Sequence, residues 1–226
     1  YKSVIAMYDN SGNNLFNKYL SSTRLTDVSI SNDNKYLALA EIDTSGTVVQ
    51  SNVKIISIEQ TKNDSSDSSQ KTYQGPSGSL ITNIKYQDKD RLICMYDDSI
   101  HLIANDKDEE LINNDNKKIT FSSIQLNNNI VNIEEKSSGL FTADSIVNIT
   151  NIDNKSQKTY MVEDVTKEIY TFENIIALNL GVEVEFINTN GDLVKRYIAN
   201  EEITNMVVSN SIAGIIYRDR IEIINL

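Results

Sequence analysis

Apolar side chains alternate with polar ones in short runs of five to eight residues along most of the chain, and turn-forming residues separate the runs. The clearest case is residues 26–43, T-D-V-S-I-S-N-D-N-K-Y-L-A-L-A-E-I-D. Val28 and Ile30 precede a polar break at Ser31-Asn32-Asp33-Asn34, and alternation resumes through Leu37, Leu39 and Ile42. Period-two alternation on both sides of a polar break predicts two antiparallel strands around a tight turn. Asn and Asp tolerate positive φ and hydrogen-bond to their own backbone, so N-D-N is turn chemistry.

The same reading along the chain predicts strands at 3–9, 14–20, 52–59 and 69–74, with an exposed Ser/Asp-rich loop over 61–69. A second cycle follows at 81–87, 91–96, 99–104 and 109–113, and a third at 119–126, 130–136, 145–152 and 157–162. A fourth runs through 168–173, 174–180, 182–188 and 193–200, and the last strands fall at 203–209, 212–217 and 220–225. The third strand of each cycle starts near Val4, Val53, Ser99, Ser145, Val182 and Arg220, a spacing of about 43 residues that matches four-stranded propeller blades. The pentapeptide Ser-Gln-Lys-Thr-Tyr occurs at Ser69 and again at Ser156, about two such periods apart, both times on a fourth strand.

The predicted fold is therefore all-β, a β-propeller of four-stranded antiparallel blades, about five in this segment. It is one propeller domain over 1–226, with units near 1–20 (partial), 26–75, 81–114, 119–164, 166–200 and 203–226 (partial). A lone meander cannot bury both faces, whereas stacked blades cover one another. The N-terminal strands read as the third and fourth of a blade and the last three as the first, second and third. One strand is then in excess for a neat closure. Either strand 3–9 is supernumerary, or the segment is an open part of a larger propeller that exposes sheet faces and forms homodimers.

Composition agrees: 39% hydrophobic and 23% charged residues suit a globular chain, and the apolar set, rich in Ile, Val and Tyr, favours strands. With one proline and eight glycines, Asn, Asp and Ser do most of the turning. A net charge of −11 with scattered Lys and Arg argues against nucleic acid as a partner. No apolar run is long enough to span a membrane, so no membrane insertion by this segment is expected. The chain opens at Tyr1 without an initiating Met, which reads as a piece of a longer product.

Candidate chemistry is sparse. His101, the sole histidine, lies in the strand S-I-H-L-I on a face with Ser99 and Ile103, and is read as a half-buried or surface side chain. Cys94, the sole cysteine, lies in R-L-I-C-M-Y as a buried, inert thiol and excludes an intramolecular disulfide. Acidic groups occur at Asp88/Asp90, Asp97/Asp98 and Asp106/Asp108/Glu109/Glu110. The alternate carboxylates Asp106 and Asp108 are the ones to test for calcium, although the EF-hand order and its glycine are missing. Asn-x-Ser/Thr triplets at Asn63, Asn148 and Asn154 would accept glycans only in a secretory eukaryotic context, and the strand placement of Asn148 speaks against that reading. No catalytic, cofactor-binding or metal residue is assigned, and no cofactor is expected.

The Y-D-x-x-G hairpin at Tyr8, Asp9 and Gly12 and the stretch from Thr26 to Asp33 resemble an uncharacterised propeller family of membrane-anchored Gram-positive bacterial proteins, catalogued only as a domain of unknown function with WD40- or quinoprotein-like repeats. Where that family resembles D-x-x-x-S-P-D-G, this chain has Asn32 for Pro and Asn34 for Gly. The resemblance implies an extracytoplasmic propeller, anchored to the cell membrane through an N-terminal helix absent from this segment, with no assigned chemistry. The functional expectation is a non-enzymatic module that binds an unknown protein or small ligand. Its rival is an enzyme on the same fold, either a calcium-dependent hydrolase or lyase or a quinoprotein-like oxidoreductase, the latter disfavoured by the absence of Trp.

Overall fold

The computed structural model describes residues 3–63, 69–113, 119–124, 128–137 and 143–226. The chain forms two compact units, Tyr1–Asn116 and Lys117–Leu226. Strands dominate both, as the alternation predicts, and every strand pair is antiparallel.

In the first unit, β1 (Ser3–Tyr8) and β2 (Asn14–Leu20) form a two-stranded sheet. A four-stranded meander follows: β3 (Thr23–Ile30), β4 (Tyr36–Asp43), β5 (Gln50–Ser57) and β6 (Ser69–Gln74). A second meander is β7 (Ile81–Tyr86), β8 (Leu92–Tyr96), β9 (Ser99–Ala104) and β10 (Lys107–Asn113). The second unit holds two more, β11 (Ile119–Ile124), β12 (Asn129–Ser137), β13 (Ala143–Asn151) and β14 (Gln157–Val162), then β15 (Glu168–Phe172), β16 (Ile175–Asn179), β17 (Glu183–Asn188) and β18 (Leu193–Ile198). It ends in a three-stranded sheet, β19 (Asn205–Val208), β20 (Ile212–Ile216) and β21 (Ile221–Asn225).

The β3–β4 turn closes as its chemistry requires. Asn34 sits at φ 57. The Ser31 hydroxyl, buried at 1% exposure, donates to Asp33 at 2.7 Å and accepts the Tyr36 amide at 3.0 Å. Local side-chain bonds thus replace the glycine that a positive φ would otherwise favour.

Two stretches differ from the sequence reading. Residues 58–63, expected as the end of a strand and the start of a loop, form a short helix α1 (Ile58–Asn63). Ser57 initiates it, its hydroxyl accepting the Gln60 amide at 3.3 Å, and Ile58 and Thr61 are buried rather than exposed. The rest of the expected loop, 64–68, lies outside the described residues. The fourth strand expected at 109–113 begins instead at Lys107, because a two-residue turn at Asn105 (φ 50) and Asp106 (φ 63) is enough to reverse the chain.

The core lies between sheet faces. Ala38, Ala40 and Val53 of one meander pack on Ile84, Leu92 and Cys94 of the next. On the other face, Leu37, Leu39 and Ile56 pack on Ile5, Phe16 and Leu20 of β1–β2. In the second unit Val131, Ile133 and Val147 meet Ile176, Leu178 and Ile187, while Ala177, Val184 and Phe186 meet Met206, Ala213 and Ile215. Alternate residues of one strand thus serve two different cores, which is why the inner strands read as nearly continuous apolar runs.

Candidate functional site

Neighbouring sheets are joined by the same polar devices at repeated positions. The buried Ser51 hydroxyl of β5 donates to the Ser79 carbonyl at 2.7 Å and accepts the Ile81 amide at 3.0 Å, pinning the segment that leads into β7. Ser145 of β13 does the same, donating to the Asp164 carbonyl at 2.9 Å and accepting the Thr166 amide at 2.8 Å. In the first unit the β3 side chains also replace a missing backbone ladder. Asp27 accepts the Ile84 amide at 2.8 Å and Ser29 accepts the Tyr86 amide at 2.9 Å.

Three of the four complete meanders carry a second repeat, Lys-x-Tyr, on the fourth strand, at Lys71/Tyr73, Lys158/Tyr160 and Lys195/Tyr197. The registers coincide: Val53, Val147 and Val184 face the tyrosines, and Ile55, Ile149 and Phe186 face the lysines. Each lysine reaches the end of the next sheet's third strand or the turn just after it. Lys71 pairs with Asp106, Lys158 donates to Asn190 at 3.4 Å, and Lys195 donates to the Asn225 carbonyl. Tyr160 donates to Glu185 at 3.0 Å and Tyr197 to Glu222 at 2.5 Å. Glu185 is buried and also accepts from Arg196. Burial and the bond to Glu185 push the Tyr160 phenol up to about 12. Hydrogen bonds from Tyr197 and Arg220 hold Glu222 below its ordinary value.

The third tyrosine of the repeat differs. The Tyr73 ring lines a cleft of ≈ 230 Å³ between sheets β3–β6 and β7–β10. Tyr36 and Tyr86 line it with Tyr73, over aliphatic surface from Ile55, Leu92 and Ile103. Its charged lining comes as two ion pairs, Lys71 with Asp106 and Lys89 with Asp90 at 3.5 Å. Burial raises the pKa of Tyr73 and of Tyr86, so these two phenols are neutral at physiological pH. The cleft is flat-walled, aromatic and close to electroneutral.

Of the residues singled out in the sequence, Asp90 and Asp106 line the cleft. Cys94, His101 and Glu110 stand in one cross-strand row, and Asp108 lies on the same face of β10. His101 is buried at 8% exposure, deeper than the half-buried position expected. Its Nδ1 is 2.9 Å from Asp108, Nε2 is 3.9 Å from Glu110, and its ring meets Tyr96 edge-on at 5.1 Å. A Cys-His-Asp set is thus assembled that the sequence did not reveal, yet the Cys94 thiol is fully buried and desolvation raises its pKa well above the ordinary range. Asp106 pairs with Lys71, and Asp108 with His101. Among the described residues no three His, Cys, Asp or Glu side chains converge as metal ligands. Asn148 is buried and donates to Glu134 at 2.7 Å, which explains its place in a strand.

Comparison with known proteins adds a fold and a family. The fold is similar to Hsv2 from Kluyveromyces lactis, with a TM-score of 0.56 and 10% identity over 90% of this chain and 75% of that one. It is similar to Sqt1 from Chaetomium thermophilum, with a TM-score of 0.63 and 11% identity over 91% of this chain and 58% of the other. An oligogalacturonate lyase in complex with manganese aligns with a TM-score of 0.59 and 8% identity, over 84% and 56% of the two chains. These likenesses and the four-stranded sheets make the fold a β-propeller. No curated protein matches the sequence. The family described as "Family of unknown function (DUF5711)" matches residues 1–226.

Proposed function

The chain belongs to the DUF5711 family of unknown function, and from that premise we propose that it is a non-enzymatic binding module whose contact point is the tyrosine-lined cleft between sheets β3–β6 and β7–β10. One observation carries this reading: three tyrosine rings, an aliphatic floor and two internally neutralised ion pairs meet in a single cleft. Tyrosine supplies large contact area with few rotatable bonds and recurs at the energetic centres of interfaces. A volume of ≈ 230 Å³ is below the roughly 300–1,000 Å³ of sites that enclose drug-sized ligands, so it suits one anchoring side chain of a partner protein. The net charge of −11 and the half-buried rings of Tyr36 and Tyr73 favour a basic or aromatic anchor.

Panning a random peptide library on the immobilised chain tests this. Recovered peptides are expected to lose binding to Tyr73→Ala and Tyr36→Ala variants that still melt cooperatively. Peptides that bind these variants as well as the parent, or no recovered peptides, defeat the proposal. The location we propose, outside a bacterial membrane on an anchored parent, is supported by the Tyr8-Asp9-Gly12 and Thr26–Asp33 patterns. No helix among the described residues is long and apolar enough to cross a membrane. Protease shaving of intact cells that spares the protein would exclude that location.

A metal-dependent lyase or hydrolase is the second reading, and the fold likeness to the manganese-bound oligogalacturonate lyase favours it. Melting with manganese, calcium and EDTA separates the two, because an ion bound only by the native state raises Tm with its concentration. An unchanged Tm supports the binding module.

A further inference from the structure

The third strands of the complete meanders carry one polar side chain between two apolar ones at a repeated position: Lys54 in β5, His101 in β9, Asn148 in β13 and Glu185 in β17. His101 and Glu185 are equivalent by a second measure. Each stands five residues before the one that the preceding sheet's lysine reaches, Asp106 and Asn190. Opposite Glu185 on the fourth strand is Arg196, and a charge-assisted hydrogen bond at 3.0 Å fastens the two strands there. Opposite His101 is Glu110, so the signs are exchanged, with the base on the third strand and the carboxylate on the fourth. Arginine stays charged, whereas imidazole is the side chain that ordinarily changes charge between about pH 5 and 8.

The contacts of His101 suit a group that is fully bonded only when protonated. A carboxylate only accepts, so Nδ1 carries a hydrogen and donates to Asp108 at 2.9 Å. Nε2 is buried without a hydrogen-bond partner, 3.9 Å from a Glu110 oxygen, so two acceptors face each other while the ring is neutral. The other Glu110 oxygen accepts from the Asn113 side chain at 3.1 Å. The remaining titratable groups on this face are Cys94 and Tyr96 of β8, Asp98 in the turn into β9, held by Ser79 and Ser99, and on the facing sheet Tyr36 of β4 with Lys71 and Tyr73 of β6. Burial raises Cys94, Tyr73 and Tyr96, and the bond to Asp106 raises Lys71, so none of these four changes charge between about pH 5 and 8.

We propose that His101 is a proton-operated fastener of the edge strand β10: on protonation Nε2 becomes a donor, Glu110 closes on it from 3.9 Å to about 2.8 Å, and one ring then holds both Asp108 and Glu110. The fastening is present below the titration midpoint of the ring and is lost as pH rises through it. β10 follows directly on the Asn105–Asp106 turn, which lines the tyrosine-lined cleft, so the proton also sets how firmly that wall is held. The fastener itself does not depend on what the cleft binds.

His101 is the sole histidine, so its ring resonances need no assignment. The full chain, isotope-labelled on histidine, is followed by NMR from about pH 5 to 8 alongside amide hydrogen exchange of β10, each rate corrected for its intrinsic pH dependence. The ring is expected to titrate in that range, and the β10 amides to exchange about fivefold or more slowly with the protonated ring, with the same midpoint. The exposure of Glu110 keeps this below the full worth of a buried charged bond. Glu110→Gln presents an amide donor to the neutral ring and is expected to shrink the step to less than about twofold while the ring still titrates. His101→Gln is expected to abolish the step, and the Glu110 variant decides alone if that one fails to fold. A ring that titrates without a step in β10 protection, a step of parent size in Glu110→Gln, an equal step throughout β3–β6, or a ring that keeps one charge state across the range overturns the proposal.

Discussion

Replacing Tyr160 by Phe isolates one contact of the repeat that joins neighbouring sheets. The ring stays, and only the hydroxyl that donates to Glu185 at 3.0 Å is lost. The Glu185 side chain is 4% exposed, and its other carboxylate oxygen is held by Arg196. A hydrogen bond to a charged group contributes about 1.5–3 kcal/mol, and a buried acceptor left without its donor keeps the full desolvation cost. The expected loss is therefore about 2 kcal/mol, or roughly 4–8 °C in Tm for a chain of this size. Urea denaturation of Tyr160→Phe, Glu185→Gln and the double variant forms a cycle in which the two changes should couple by about 1 kcal/mol or more. The pH dependence has a defined sign: a phenol raised to about 12 stabilises the fold fully below its ordinary value of 10.0, and that contribution is lost as pH rises through about 12. A Tyr160→Phe variant with unchanged Tm and an additive cycle would refute the reasoning.

Four further outcomes are expected. Gly75→Ala places a methyl group 2.5 Å from the Tyr96 ring, which is buried at 1% exposure, and should cost about 1–3 kcal/mol by thermal melting. Asp27→Ala removes the acceptor of the Ile84 amide and should lower stability by about 1.5–3 kcal/mol, whereas Asp27→Asn recovers part of the loss. Cys94 should resist a thiol reagent in the native protein and react once urea unfolds it. Rapid native labelling would reopen the Cys94-His101-Asp108 set as a catalytic one. On acidification, Asp33, lowered by the Ser31 hydrogen bond, Glu202, lowered by Lys167, and Glu222, lowered by Tyr197, add stability present above their ordinary values near 4. That stability is lost as pH falls through the lower folded values, a trend that urea midpoints measured below pH 5 should follow.

Strand order was legible because alternation and turn chemistry agree at nearly every boundary, as at Asn34, where the Ser31–Asp33 side-chain bond and the Asn34 amide donating to the Ser31 carbonyl close a turn at positive φ. Helix α1 was not legible, since six residues with two buried side chains give no helical period against the preceding strand. The echoed pentapeptide pointed to the fourth strands, but its physical core is Lys-x-Tyr. The copy at Lys195 was hidden because exposed neighbours such as Leu193 and Val194 are free to vary while the lysine and tyrosine reach the next sheet. The cleft was invisible for a different reason. Tyr36, Tyr73 and Tyr86 are far apart in sequence and meet only when two sheets pack. The Cys94–His101 row likewise depends on register, which a strand assignment alone does not fix.

The central claim, that the tyrosine-lined cleft receives a partner's side chain, is tested most directly by NMR. The chain, labelled on its tyrosine rings, is titrated with a peptide selected by panning. The account predicts saturable shifts concentrated on Tyr36, Tyr73 and Tyr86, lost in Tyr73→Ala. Shifts confined to tyrosines away from the cleft, such as Tyr8 and Tyr19, would contradict it.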